Sequence, residues 1–397
     1  MRKRPVGLLL FVCFLLPVLH AGAESTASFS ESGIEILSAR DAAFGGPHVA
    51  LADGLSCLFT NPAGFRSAEP ELSLSELTVN LTGPVFSIAD IVVQALSGTS
   101  ATDLITTESV QNLLKKLYAS GSLFGPIAFG YVGEGLGFGF FNTSSVTLTS
   151  TGTVPKLMAG IQEDVVFAGG YSFRIPLPEA LQSTFDLGIL LKAFLRGNMT
   201  IEKSTLDLIS VLSSISPDLL LEEPFTLGVG VGADAGLLWN WNSLISLGIV
   251  GRNLWTPTLY SSYATLQSFL DAGTPTTTLG LVPIDLSAGL LFTPSLGFLE
   301  RYVTDIKIAL DYDDILDFLT HPATASNPVL HVGLGIELTL LEILNLRGGF
   351  YRGYFSGGFG VDFTYVRLNV AMFGTELSTE PGLRPAYNLR LGLEFRL

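Results

Sequence analysis

Charge is scarce in this chain. Only 14% of its 397 residues are Asp, Glu, Lys or Arg, where a soluble domain carries about a quarter, and its mean hydropathy is +0.48. Cysteine is scarcer still, with Cys13 and Cys57 the only two. Cys13 falls inside an apolar leader run, and Leu10-Phe11-Val12 before it offers no small residue, which argues against lipid attachment. With the leader removed, Cys57 stands alone; an intrachain disulfide is excluded, and Cys57 reads as a small packing residue. Histidine is nearly missing: beyond the leader only His48, His321 and His331 remain, with no metal-ligand spacing among them, so no metal or other cofactor is expected. Nor is there a long apolar run beyond the leader, where about 18 uncharged residues would be needed for a spanning helix. Basic residues number 21 against 36 acidic ones, and a net charge of -15 excludes a nucleic-acid partner.

What is present begins with Arg2, Lys3 and Arg4, an apolar stretch from Val6 to Leu19, and Ala21-Gly22-Ala23. That is the pattern of a Sec-type signal peptide, with cleavage expected after Ala23. An exported, apolar chain without helical spans, holding 43 Gly and 27 Phe, points to a transmembrane β-barrel in an outer membrane.

Period-2 alternation carries that reading, because a barrel wall shows lipid on one face and lumen on the other. In the last segment Tyr387, Leu389, Leu391, Leu393, Phe395 and Leu397 alternate with Asn388, Arg390, Gly392, Glu394 and Arg396. Upstream, Phe225 to Leu237 alternates with Thr226, Gly228, Gly230, Gly232, Asp234 and Gly236. Glycines alternating within a strand exclude a dinucleotide loop, which needs them between strand and helix; they leave room at the lumen face for a ligand or for close packing. Fourteen such segments are expected, near 71–82, 122–134, 136–149, 157–175, 183–200, 225–240, 244–254, 283–293, 303–315, 328–340, 343–353, 354–364, 366–377 and 386–397. The long connections 83–121, 201–224 and 255–282 then fall on the extracellular side, with tight turns on the other. Trp239 and Trp241 fall at the periplasmic end of the sixth strand and Trp255 at the outer end of the seventh, where aromatic girdles belong. Helical stripes at Phe86 to Leu96, at Val110, Leu113, Leu114 and Leu117, and at Leu208, Ile209, Leu212 and Ile215 predict short helices in the loops.

One stretch fits no strand: RDAAFGGPHVALADGLSCLFTNPAGFR, from Arg40 to Arg66. Gly45, Gly46 and Pro47 break it early, and Asn61-Pro62-Ala63-Gly64 forms a stiff corner. The Gly-Gly element, Ala50-Leu51-Ala52-Asp53 and the Asn-Pro-Ala-Gly box together resemble the amino-terminal hatch of the FadL family of outer-membrane long-chain fatty acid transporters. The resemblance implies a 14-stranded barrel over residues 71–397 and a hatch over 24–70, following the signal at 1–23. It also implies passive uptake of long-chain fatty acids or similar amphipathic molecules by a monomer that meets membrane lipids and, during biogenesis, the outer-membrane insertion machinery. The alternative is a FadL-like barrel that scaffolds a partner protein without conducting lipid. No catalytic site is expected, since no serine motif accompanies His331.

Gating residues implied by the hatch are Asn61, Pro62, Ala63, Gly64, Gly45 and Gly46. Phe44, Phe59 and Phe65 could touch an acyl chain or merely wedge the segment. Lys192, Arg252, Lys307 and Arg347, along with Arg196, Arg367 and Arg390, face the lumen in this register and could fork a carboxylate. They could equally pair with Asp186, Asp234, Asp305, Asp311, Asp362 or Glu394 on neighbouring strands.

Overall fold

The computed structural model describes residues 36–84, 117–151, 156–204, 220–295 and 302–397, together with 87, 93, 94, 97 and 297. The leader with Cys13 and the helical stripes at 86–96, 110–117 and 208–215 lie, apart from single residues, outside the described ones.

The wall has fourteen strands: β1 Glu71–Thr82, β2 Tyr118–Phe124 and Phe129–Gly133, β3 Leu136–Thr151, β4 Lys156–Ile175, β5 Ser183–Ser204, β6 Phe225–Trp241, β7 Ile245–Trp255 and Pro257–Tyr263, and β8 Thr276–Leu281 and Asp285–Phe292. It continues with β9 Val303–Tyr312, β10 Val332–Leu340, β11 Leu344–Tyr351, β12 Tyr354–Asp362, β13 Val366–Glu376 and β14 Pro385–Arg396. Every strand pairs antiparallel with its sequence neighbours, and β14 returns to β1, from Ser73 opposite Arg396 to Thr82 opposite Asn388. The sheet is therefore a closed barrel with no edge left unpaired.

Three strands are interrupted. In β2 the break is at Gly125-Pro126, because a proline cannot donate to the ladder. In β7 and β8 the breaks at Thr256 and at residues 282–284 lie side by side, joined by Val282 N–H to the Thr256 carbonyl at 3.2 Å. Here the structure corrects the expected loop 255–282. The wall resumes beyond Thr256 and the connection shrinks to 264–275, which holds a short helix α2, Leu266–Leu270. Pro283 hides the continuation, since a proline inside a run argues against strand. Trp255 consequently stands midway along β7 rather than at its outer end. Likewise β9 stops at Tyr312 and β10 starts only at Val332, after the turn Pro328–His331, so His331 is not a wall residue.

Sidedness is inverted relative to a soluble sheet. On β5, Ile189 and Leu191 are 55% and 63% exposed, whereas Asp186 and Leu190 between and beside them are buried. An apolar face left open and a charged face closed off is the pattern of a wall meant for lipid. Strand length is uneven as well: β4 and β5 run 20 and 22 residues, β11 and β12 only 8 and 9. Near the outer ends of the long strands, Met199 and Ile201 are covered by Leu220 and Leu266, and Phe225 packs on Tyr263 and Phe269.

The amino-terminal segment touches strands on both sides of the wall, from β3, β4, β5 and β6 round to β10–β14. In a closed barrel only the lumen permits that. Its helix α1, Ala39–Phe44, starts at Ser38, whose side chain accepts Asp41 N–H, and ends at Gly45 with φ +100°. Gly46 also has φ +108°, and a Cβ on either glycine would collide, Gly45 with the Leu334 carbonyl and Gly46 with the Tyr351 ring. Both demands exclude other residues.

Candidate functional site

The segment is fixed to the wall by three polar pins. The first is the Asn-Pro-Ala corner. Asn61 is extended (φ -151°, ψ 111°), as a residue before proline must be, and caps the turn Pro62–Arg66 by accepting Ala63 N–H at 3.0 Å. Its amide donates to the carbonyls of Val49 at 2.9 Å and Leu237 at 3.0 Å. A Cβ on Gly236 would collide with Asn61 and one on Gly188 with the Pro62-Ala63 peptide, so wall glycines on β5 and β6 accommodate this corner. The second pin is His48, fully buried, with Nδ1 2.6 Å from Asp311 and Nε2 3.1 Å from the Phe44 carbonyl. Two acceptors on two ring nitrogens require both to carry protons, hence an imidazolium. Burial disfavours that charge, but Asp311, with Asp41 and the Phe44 carbonyl, outweighs it and raises the His48 pKa. The third pin is Arg40, which forks Asp53 at 2.6 and 2.9 Å and Glu337 at 2.7 and 2.9 Å. Burial acts against the Asp53 carboxylate, yet Arg40 and Lys307 prevail and hold it well below the usual range.

The cations expected at the lumen face are all on that face with acidic or polar partners. Lys192 reaches both oxygens of Asp234 at 2.8 and 2.9 Å. Arg252 binds Asp285 at 2.8 Å and Ser287 at 2.7 Å. Lys307 lies 3.0 Å from Asp305 and 3.2 Å from Asp53, and Arg347 pairs with Glu337 and with Asn369 at 2.7 Å. Arg196 pairs with Asp164 at 2.7 Å, Arg367 with Glu394 at 3.1 Å, and Arg390 with Asn80 at 3.2 Å.

Of the three phenylalanines, Phe44 and Phe65 are fully buried, Phe65 against Gly137 and Gly170. Phe59 differs: it stacks edge-on against Phe141 at 4.8 Å and lines open space. Cys57 is buried beside it in the same apolar cluster, and burial pushes its thiol far above the ordinary value, so it is inert.

Two large cavities flank the segment. One of about 970 Å³ opens toward the end that carries the short turns and is lined by Arg40, Arg66, Glu71, Arg174, Arg367 and Arg396, among others. The other, about 610 Å³, opens toward the opposite mouth between Phe59, Lys192, Arg252, Asp285, Asp313 and His331. A small, mostly apolar pocket of about 50 Å³ lies beneath Phe59, bounded by Leu58, Val166, Leu190, Phe194, Asn253 and Val282, with Lys192, Asp234 and Arg252 on its polar side. Of its last two walls, Val282 belongs to the break in β8, and Asn253 lies in β7 three residues before the break at Thr256. There β7 bulges, with two steps from Ala233 to Ala235 opposing four from Gly251 to Trp255, and Asp234 accepts the displaced Asn253 N–H at 2.7 Å.

No family model matches the chain, and no curated protein does. Solved structures resemble it. The toluene transporter TodX of Pseudomonas putida gives a TM-score of 0.44 at 13% identity, over 93% of this chain and 99% of that one. A Pseudomonas aeruginosa FadL homologue gives 0.43 at 11%, over 91% and 98%. The translocator domain of the autotransporter NalP from Neisseria meningitidis gives 0.31 at 9%, over 83% and 88%. Likeness at this level establishes neither a family nor a ligand; the barrel stands on its own closed strand register.

Sequence reading placed Asp234 at the lumen face as a partner for a cation but did not find the β7 bulge at 252–254 opposite it, because an acid at a lumen position looks like any other in the alternation. The one available signal was Asn253, whose φ of +54° is a conformation that Asn tolerates better than most residues.

Proposed function

We propose that the protein is an outer-membrane channel of the FadL type that passes hydrophobic or amphipathic small molecules, long-chain fatty acids among them, without energy coupling. The reading rests chiefly on the mostly apolar pocket beneath Phe59 reaching the break in β8 and the bulge of β7 just before its own break. A molecule enters the 610 Å³ cavity at the outer mouth, displaces Phe59, and leaves sideways between Thr256 and Val282 into the apolar layer. The amino-terminal segment acts as a hatch whose Asn61-Pro62-Ala63-Gly64 corner and Gly45-Gly46 turn set how far Phe59 can move. At about 50 Å³ the pocket is well below the roughly 300 Å³ of the smallest ordinary ligand sites, so conduction requires that movement.

A second reading is favoured by the same small volume: a barrel whose inner pocket stays closed and whose exposed loop residues Phe318, Leu319 and Leu383 serve as a scaffold for a partner protein. Native mass spectrometry with lipid extraction separates the two. Folded barrel incubated with mixed long-chain fatty acids retains one or two acyl chains saturably if it conducts, and fewer when Asn61→Ala and Pro62→Ala are combined. A folded barrel that keeps none sinks the channel and leaves the scaffold.

A further inference from the structure

The connection between β9 and β10 carries a cluster that the channel reading does not use. Asp314, Asp317 and His321 place a carboxylate oxygen, a second one and an imidazole nitrogen within 4.8 Å of one another. From ten residues further along, His331 arrives at the same acid: its Nε2 is 3.1 Å from Asp317 Oδ2, while His321 Nδ1 is 3.1 Å from Oδ1. Ser326 N–H also binds Asp317, at 2.7 Å, and fixes its plane. Plain hydrogen bonding accounts for Asp317 but not for Asp314, whose Oδ1 is shielded from solvent and has no hydrogen-bond partner. A buried carboxylate oxygen without a donor is costly.

We propose that Asp314, Asp317, His321 and His331 form a binding site for a divalent transition-metal ion, with Zn2+ the best match. Two carboxylates balance its charge, and two neutral imidazoles supply borderline nitrogen donors; Ca2+ and Mg2+ prefer all-oxygen sites. Ligand atoms around tetrahedral zinc at about 2.1 Å lie roughly 3.4 Å apart, close to the 3.1 Å separations already present. Asp314 has to close in, and His331, which stands outside the three residues whose ligand atoms lie within 4.8 Å of one another, has to swing from Asp317 Oδ2 toward them. The Thr320 hydroxyl, 3.0 Å from His321 Nδ1, has the Leu316 and Asp317 carbonyls at 3.2 and 3.3 Å to turn to. Since Asp314, His321 and His331 also line the 610 Å³ cavity, the ion pins this connection at the outer mouth, over the entrance.

The test uses tag-free, chelator-treated full-length barrel in detergent, titrated with Zn2+ by calorimetry and checked by elemental analysis, with no lipid ligand present, so its outcome is independent of transport. One Zn2+ per barrel is expected, and a double variant, His321→Ala with His331→Ala, should lose on the order of 100-fold or more in affinity while keeping its heat-modifiable gel shift. Zn2+ should also protect the 313–331 connection from proteolysis in the wild type and not in the variant. Absence of saturable Zn2+ binding, binding that survives the double variant, or saturation by Ca2+ alone overturns the site; unchanged proteolysis in zinc-loaded protein overturns the pinning.

Discussion

Asn61 shows how much one side chain can hold. It makes a cap and two donor bonds from a site that is 1% exposed, and alanine would orphan two carbonyls as well as the cap. Asn61→Ala should cost about 2–3 kcal/mol, seen as a lower urea midpoint, and a midpoint within error of wild type would mean that water replaces the amide. The wall glycines give a paired comparison. Gly188→Ala drives a methyl into the Pro62-Ala63 peptide and should destabilise by about 1–3 kcal/mol, whereas Gly160→Ala meets nothing within 4 Å and should be neutral. Equal midpoints for the two would show that the corner does not press on the wall. His48 adds a pH response. Its folded pKa is raised, so its contribution is complete below the unfolded imidazole value near 6.5 and is lost as pH rises through the folded one. Unfolding midpoints should fall toward alkaline pH in wild type and fall less in His48→Gln. The groups facing the ring are Asp311 from β9 and, within the segment, Asp41 and the Phe44 carbonyl.

At the scale of elements, the breaks in β7 and β8 are the place to interfere with movement. Cysteines at 256 and 282 in a Cys57→Ser background should join across the gap on oxidation and close the proposed sideways path. Fatty-acid release from oxidised barrel should then slow at least tenfold and recover on reduction; unaltered release would move the exit elsewhere. Most strands were legible in the sequence, since alternation such as Tyr387 to Leu397 states both the strand and its lipid face. The interrupted ones were legible only in part. Thr256-Pro257 read as loop and Pro283 as the start of a strand, and nothing local says that Pro257–Tyr263 pairs with β6 or Thr276–Leu281 with β7. The partners of lumen cations were legible in part: Asp234, Asp305 and Glu394, expected among the acids on neighbouring strands, meet Lys192, Lys307 and Arg367, whereas Arg40 meets Glu337 across 297 residues, a distance that only closure of the barrel removes. The Asn-Pro-Ala corner was legible because proline restricts its neighbour locally, before any tertiary contact.

For the whole molecule, the three pins make the segment and wall one unit. Arg40→Ala leaves Asp53 and Glu337 short of their main partner, and losing one side of a buried ion pair costs about 3–5 kcal/mol; partial exposure of Asp53 argues for the lower end. The segment should then detach before the barrel melts, read as faster amide exchange over residues 39–66 with the wall unchanged. Exchange rising equally in both would show a single cooperative unit.

The uneven strand lengths set the rim of this wall at different heights. At about 3.3 Å per residue and a tilt near 40°, 22 residues of β5 rise roughly 55 Å and 9 residues of β12 about 23 Å. An apolar layer of about 25 Å covers all of β12 and less than half of β5. The remainder of β4–β6 stands in water as a one-sided parapet, and there Leu220, Leu266 and Phe269 roof the outward apolar side chains in place of lipid. Approach to the mouth is thus directional: a molecule sliding along the membrane surface meets a barrier from the β5 side and a low sill at β11–β12.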